Sequence, residues 1–318
     1  MTDPYRPTVA AIVPCYNEEA AIGTVVRDLR LALPDAEIYV YDNASTDATV
    51  QRAEEAGAIV RSEPRKGKGN VVRRAFADID ADVVVLIDGD DTYDATRAGD
   101  LVATLLEGPY DHVLGVRSTV SDSAYRPGHA VGNRLLTGVV GLLFGREVSD
   151  MLSGYRAFSR RYVKSFPALS QEFETETEMT VHALRLRLPA AEVVTDFKDR
   201  AAGSESKLRT YRDGWRILKL ILALARRERP ALFHGVIAAL VTVAALALGT
   251  PVIVDYLHTG EVARFPTAIL ASAMMIIATV TAVLGYTLDA LAHSRQESAR
   301  LAYLRFPAPG ATHPVRDL

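Results

Sequence analysis

The sequence predicts a doubly wound α/β domain built on a mostly parallel sheet with helices on both faces, followed by a two-helix transmembrane hairpin. Three observations carry that expectation. From Thr8 to Val116, short β-branched apolar runs alternate with segments of helical periodicity, the pattern of strands joined by helical crossovers. Several of those runs end abruptly in polar or acidic residues, as strands do at the ligand-binding edge of an open sheet. Beyond Pro230 the chain becomes apolar in two long stretches, each exceeding the roughly 20 residues a helix needs to cross a bilayer core.

Taken in order, Thr8–Val13 reads as a strand that stops at Pro14, Cys15, Tyr16, Asn17 and Glu18. A helix is expected from about Glu18 to Leu33, with Ile22, Val25, Val26 and Leu29 on one face. Glu37–Tyr41 is a second strand ending in Asp42, Asn43 and Ala44, after which Ser45 or Thr46 is suited to cap a helix that closes at Gly57. Ala58–Arg61 is a short third strand. The basic segment Arg65-Lys66-Gly67-Lys68-Gly69-Asn70 opens a helix to about Ala77. Then comes the central run Val83-Val84-Val85-Leu86-Ile87, apolar at every position and so a fully buried strand. A helix over Ala95–Leu106 and a strand over His112–Val116 complete the alternation.

The central run ends in Asp88-Gly89-Asp90-Asp91. Carboxylates this close repel one another, which a cation among them would relieve, and hard oxygen ligands suit Mg²⁺ or Mn²⁺ and through them a diphosphate. A solvated acidic turn is the plainer alternative. Asn17 with Glu18, Asp42 with Asn43, and the Asp88–Asp91 cluster should gather along one rim, which makes a polar ligand the better reading. The loop around Lys68 offers glycine-freed backbone and a cation for phosphate, or else is a solvated basic turn.

A net charge of −3 over 318 residues gives no support for nucleic acid as a partner. Cys15 is the only cysteine, which excludes an intrachain disulfide and fits a reducing compartment. Met1–Pro7 lacks the layout of a secretory signal, so the amino-terminal domain is expected in the cytosol.

The apolar stretches run from Phe233 to about Tyr256 and from about Thr267 to Leu291, with Asp255 and Asp289 at their ends. Buried helices of a soluble domain are the alternative, but those would carry a polar face. Arg212, Arg216, Lys219, Arg226, Arg227 and Arg229 precede the first stretch and Arg295, Arg300 and Arg305 follow the second, whereas the intervening loop holds Arg264 against Asp255 and Glu261. The positive-inside rule then puts both flanks in the cytosol, in a multi-pass protein of the inner membrane. Between Leu208 and Arg227, apolar positions at helical spacing with interleaved cations read as an in-plane helix on the bilayer surface or as a domain-packing helix. The expected organisation is a cytosolic domain 1–207, a juxtamembrane helix 208–229, the hairpin 230–292 and a cytosolic tail 293–318.

Val13-Pro14-Cys15-Tyr16-Asn17-Glu18-Glu19, Asp42-Asn43-Ala44-Ser45-Thr46-Asp47, Gly67-Lys68-Gly69 and Asp88-Gly89-Asp90 together resemble the successive signatures of glycosyltransferase family 2. More narrowly, the chain is similar to polyprenyl-phosphate glycosyltransferases of the dolichol-phosphate mannose synthase type, over about Thr8 to Lys207. The resemblance implies a GT-A fold, a nucleotide-sugar donor, a polyprenyl phosphate acceptor in the lipid bilayer, and Mg²⁺ or Mn²⁺. It implies that Pro14, Tyr16, Asn17, Glu18, Asp42, Asn43 and Lys68 line the nucleotide site, that Asp88, Gly89 and Asp90 form the Asp-X-Asp turn, and that Asp90, helped by Asp88, holds the metal. Arg117, Arg126 and the segment Asp150–Arg156 match the part that handles the acceptor phosphate, for which an arginine fork is well suited. Arg200, Gly203, Ser206 and Lys207 match a closing segment with one residue inserted. Thr92 and Ala130 stand where the family often carries glutamine and serine. In the acidic segment Glu172–Glu178, first-turn glutamates favour the helix dipole, and Glu176 or Glu178 is the candidate for the sugar hydroxyls or the acceptor side.

The expected activity is therefore inverting, metal-dependent transfer of one sugar to a polyprenyl phosphate. A processive polysaccharide synthase is disfavoured because no Gln-X-X-Arg-Trp motif is present. A non-catalytic nucleotide-binding membrane scaffold is disfavoured by the intact Asp88-Gly89-Asp90. A homo-oligomer is compatible with either outcome.

Overall fold

The structure, a computed structural model, describes residues 6–118, 138, 141, 150–170, 174–198, 219, 222–223 and 226–309. The chain divides into two units, Met1–Gly214 with Ser298–Leu318, and Trp215–Glu297.

In the first unit the elements are β1 (Val9–Cys15), α1 (Ile22–Ala32), β2 (Glu37–Asp42), α2 (Thr49–Glu55), β3 (Ile59–Ser62), α3 (Lys68–Asp78) and β4 (Val83–Leu86). A 3-10 turn over Ala95–Arg97 then leads into α4 (Ala98–Glu107), followed by β5 (His112–Ser118), β6 (Arg156–Ser159), α5 (Arg160–Ser165), α6 (Glu174–Arg185) and β7 (Ala190–Asp196). One seven-stranded sheet runs in the order β3-β2-β1-β4-β6-β5-β7. All pairings are parallel except those of β6, which lies antiparallel between β4 and β5.

Alternating strand residues feed two cores. Ala11, Val13, Val83 and Val85 pack with α1 and α4 on one face, while Ala10, Ile12, Val84 and Leu86 pack with α3, α5 and α6 on the other. With both faces covered, β4 has no polar side, and each such side chain fully removed from water contributes about 1.5–3 kcal/mol. Register sets the rim: Cys15 lies opposite Asp42, Ile12 opposite Leu86, and the Ile87 amide donates to Ile12 O at 3.1 Å. Strands β1, β2 and β4 thus end side by side, as their sequence endings require.

Two local expectations change. Helix α1 starts at Ile22, because Glu18 O accepts from the amides of Ala21 and Ile22 and closes a separate turn first. Neither Ser45 nor Thr46 caps α2. Asp47 Oδ1 accepts from the Thr49 amide at 3.0 Å in that turn, while Ser45 and Thr46 bond to Asn17.

The second unit contains α7 (Pro230–Thr259) and most of α8 (Phe265–Leu304), both long and apolar enough to cross a membrane. Their buried positions recur every seventh residue: Ala238, Ala245 and Val252 on α7, and Ala271, Ala278 and Ala292 on α8. Gly285 falls in the same series, and a Cβ on it would lie 2.7 Å from His234 Cβ. Small residues at that period let two helix backbones approach closely. The end of α8 belongs to the first unit, where Tyr303 is buried in the core beneath α5 and α6.

Candidate active site

The centre of the rim is Asp88, just beyond β4. Gly89 follows it where a side chain has no room, since a Cβ would lie 2.5 Å from Cys15 Sγ and 3.4 Å from Pro14 O. That contact locks the ends of β1 and β4 together. Burial, and after it the charges of Glu18, Asp42, Asp88 and Asp90, push the Cys15 thiol well up, so it packs as a neutral group and is no nucleophile.

Lys68, the first residue of α3, ion-pairs with both Asp88 and Glu176, the latter at 2.5 Å. Burial alone would lower its pKa, but the two carboxylates outweigh that and hold the ammonium firmly charged. The partners come from three elements, α3, β4 and the first turn of α6, and glycines bring them together. A Cβ on Gly154 would fall 2.3 Å from Asp88 Oδ2, and one on Gly69 would fall 2.3 Å from Ser170 O and 2.5 Å from Thr175 Oγ1. Of the two candidate glutamates, Glu176 reaches this centre. Glu178 instead accepts from the amides of Leu169 and Ser170 at 3.1 and 2.8 Å.

Asp90 is nearly buried, and its Oδ1 accepts from the Thr92 amide at 3.2 Å and the Thr92 hydroxyl at 2.6 Å. The threonine that departs from the resembled pattern is thus what orients this carboxylate. Asp91 adopts a left-handed backbone, φ 54°, and faces Lys198 at 3.4 Å.

Around this centre the rim is cross-braced. Asn17, also left-handed at φ 56°, accepts from the Thr46 amide at 2.8 Å while its own amide donates to Ser45 Oγ at 3.0 Å. The Glu18 amide donates to Thr49 Oγ1 at 2.8 Å, and Asp42 Oδ1 accepts from the Ser45 amide at 3.1 Å. Asn43 organises the basic loop, accepting from the Gly67 amide at 2.7 Å and donating to Glu63 O and Arg65 O at 2.8 and 2.7 Å. Tyr16 stays exposed, with Lys66 Nζ 4.9 Å above its ring.

The acceptor-side arginines are placed differently from one another. Arg117 forms a bidentate pair with Asp150 at 2.6 and 2.7 Å and lies 5.3 Å over the Phe197 ring. Arg156 is fully buried on β6, donating to Ser153 O, Met151 O and Thr180 Oγ1 at 2.8, 2.8 and 2.9 Å. Its guanidinium is spent on holding the loop that carries Gly154 against Asp88, a placement the sequence does not suggest. Tyr93 braces the same loop by accepting from the Gly154 amide at 2.9 Å. Arg126, Arg200 and Lys207 lie outside the described residues.

Among the described residues, no three His, Cys, Asp or Glu side chains form a ready cage for a metal ion. Mg²⁺ and Mn²⁺ partnered by phosphates do not need one, since one or two carboxylates with water and phosphate oxygens suffice. The donor set at the end of β4 fits that case, with Asp88 and Asp90 as the two carboxylates.

A family model described as glycosyl transferase family 2 matches residues 10–166. Glycosyltransferase AglJ of Haloferax volcanii is 36% identical over 251 residues, spanning 77% of this chain and 81% of its own length. The chain belongs to glycosyltransferase family 2. A second relative, the dolichyl-phosphate hexose transferase of the same organism, is 30% identical over 230 residues, 72% of this chain and 99% of its own. Among solved structures, glucosyl-3-phosphoglycerate synthase from Mycobacterium tuberculosis, in complex with Mn²⁺, UDP-glucose and glycerol 3-phosphate, superposes with a TM-score of 0.56 at 26% identity, covering 70% of this chain and 80% of that one. As a family 2 glycosyltransferase the protein is an enzyme of sugar transfer, and the seven-stranded sheet is of the GT-A type found in that neighbour.

Proposed function

We propose that this glycosyltransferase moves a single sugar from a nucleotide-sugar to a polyprenyl phosphate at the cytosolic face of a membrane, with inversion at the anomeric carbon. The observation that carries the reading is one chain holding both the Asp88–Lys68–Glu176 centre with Asp90 beside it and two helices of membrane-crossing length. A relative named for dolichyl-phosphate hexose transfer, matched over nearly its whole length, supports the lipid acceptor.

In this reading Tyr16, Asn17, Glu18 and Asp42 receive the base and ribose, and Asp88 and Asp90 hold Mg²⁺ or Mn²⁺. Such a metal supplies charge neutralisation to the departing nucleoside diphosphate. Thr92 keeps Asp90 aimed, and Gly154 leaves Asp88 the space it occupies. The acceptor phosphate is already an anionic nucleophile at neutral pH, so no strong general base is required. Positioning and electrostatics do the work. In this reading Arg126 and Arg117, the latter held by Asp150, supply contacts to the acceptor phosphate.

A second reading comes from the solved neighbour, whose complexes include glycerol 3-phosphate, a small phosphorylated acceptor. One experiment separates the two. Detergent-purified full-length protein is incubated with Mg²⁺ or Mn²⁺, undecaprenyl or dolichyl phosphate, or a small phosphorylated acceptor, and labelled UDP- and GDP-sugars. Label in the organic phase supports the lipid acceptor. Transfer confined to the aqueous acceptor overturns it.

A further inference from the structure

Lys68 sits where the proposed metal chemistry needs negative charge. Its ammonium pairs with Asp88 and with Glu176, and its side chain is only 10% exposed. One cation thus faces two carboxylates, and Glu176 Oε2, itself buried, has no hydrogen-bond partner among the described residues. Asp88 has little freedom to swing away from this arrangement, because Gly154 closes one side so tightly that even a methyl group would overlap the carboxylate. A divalent cation reaching Asp88 therefore has to share it with the ammonium. Like charges that close in a half-buried site cost well over one tenfold factor in affinity. A nucleoside diphosphate arriving with the ion carries enough negative charge to offset that repulsion and to engage Lys68 as well.

We infer that Lys68 is a built-in counter-ion, a positioning residue that keeps a lone divalent cation off Asp88 and admits one only together with a diphosphate. The inference rests on the assignment of the metal to Asp88 and Asp90. Its consequence is order: the enzyme takes up metal and donor as one unit, and the acidic rim does not fill with a cation while the donor site is empty. Glu176 is the second half of the device. By sharing the ammonium it weakens the hold of Lys68 on Asp88, so the two residues act on free-cation affinity with opposite sign.

The test measures Mn²⁺ binding to detergent-purified full-length protein, by calorimetry and by the paramagnetic signal of free Mn²⁺, alone and with UDP or GDP. The wild type is expected to bind Mn²⁺ at least about tenfold more tightly with the diphosphate than without it. Lys68→Met should tighten binding of Mn²⁺ alone by about tenfold or more, and Lys68→Arg should restore the wild-type weakness. Glu176→Gln should weaken binding of Mn²⁺ alone, because the ammonium then belongs wholly to Asp88. Damage to the fold would weaken binding in both Lys68→Met and Glu176→Gln, so the opposed directions are the signature. Equal affinity for Mn²⁺ alone in wild type and Lys68→Met, or weakening in both variants, overturns the inference while leaving the metal assignment standing. Absence of Mn²⁺ binding in every arm, diphosphate included, overturns the metal assignment and this inference with it.

Discussion

Asp90 and Asp91 are neighbours of the same chemistry, yet the backbone gives them opposite tasks. Asp90 is nearly buried and aimed by two bonds from Thr92, whereas Asp91 turns outward toward Lys198. On the proposed metal assignment, Asp90→Asn removes one charge that faces the ion with almost no change in volume, so transfer should fall to background while the unfolding midpoint stays close to wild type. Near-normal turnover by a folded Asp90→Asn enzyme would remove Asp90 from the metal site. Asp91→Asn should be mild by comparison, because asparagine tolerates the left-handed φ of 54° and only an exposed ion pair is lost. Gly154→Ala tests the other wall of the site. Its methyl would overlap the Asp88 carboxylate, so turnover should drop more than tenfold with nucleotide-sugar affinity shifted as well, and the fold should be destabilised, whereas Gly→Ala at an unstrained site stabilises by about 0.4–1 kcal/mol. Unaltered kinetics for a correctly folded Gly154→Ala would mean that Asp88 need not stay where it is.

At the scale of elements, the carboxyl end of α8 is fixed to the sheet domain through one buried acid. Asp111 is fully buried below β5 and accepts from the Ser159 hydroxyl at 2.7 Å, from both Nε and Nη2 of Arg161, and from the Tyr303 hydroxyl at 2.9 Å. Arg161 also stacks 4.6 Å over the Tyr303 ring. Tyr303→Phe removes one of several partners and should cost about 1 kcal/mol, whereas Tyr303→Ala empties a core position and should cost about 3–5 kcal/mol. Equal effects in denaturant unfolding would mean that the ring contributes nothing beyond its hydroxyl. The adjoining stack of α5, α6 and β6 holds His112 and His182, whose imidazoles burial keeps neutral, His182 down to about 3. Their folded pKa values lie below the unfolded value near 6.5, so the unfolded chain takes up protons first. The stability from excluding those protons is complete above about pH 6.5 and is lost as pH falls below it, down to about 3 in the case of His182, by up to ~1.4 kcal/mol per pH unit for each histidine still neutral in the fold. The unfolding midpoint of His182→Gln should therefore fall less steeply between pH 6.5 and 5 than that of the wild type, and an unchanged slope would refute the claim. The strands that end at the rim were legible because each is an apolar run followed by polar residues. Strand β6 was not, since Arg156-Ala157-Phe158-Ser159 opens with a charge whose burial depends on three acceptors elsewhere in the fold. The pairing of Lys68 with Glu176 was equally hidden. The sequence shows a first-turn glutamate serving the helix dipole, and only the close packing at Gly69 brings that turn against the basic loop.

For the molecule as a whole, the governing expectation is that the two long apolar helices form a hairpin across the membrane, which returns the chain to the side from which it entered. Arg226, Arg227 and Arg229 before α7, with Arg295, Arg300 and Arg305 toward the end of α8, outnumber the single Arg264 of the connecting turn, and that arginine pairs with Asp255 at 3.3 Å. On that expectation the basic flanks would lie in the cytosol, where nucleotide-sugars are available, and the turn at Gly260 would lie outside. The protein is favourable for the measurement because its one native cysteine, Cys15, is buried with its thiol pKa pushed up, and so stays silent to maleimides in the folded state. Single cysteines at His258, in the last turn of α7, and at Ser298, beyond the apolar part of α8, occupy exposed positions on opposite sides of the expected bilayer. A membrane-impermeant maleimide applied to intact cells should label His258→Cys and leave Ser298→Cys unmodified until the membrane is opened. The reverse pattern would invert the topology and place the sugar donor on the wrong side for the proposed reaction. Labelling of both sites without permeabilisation would show that the two helices do not span the membrane as a hairpin.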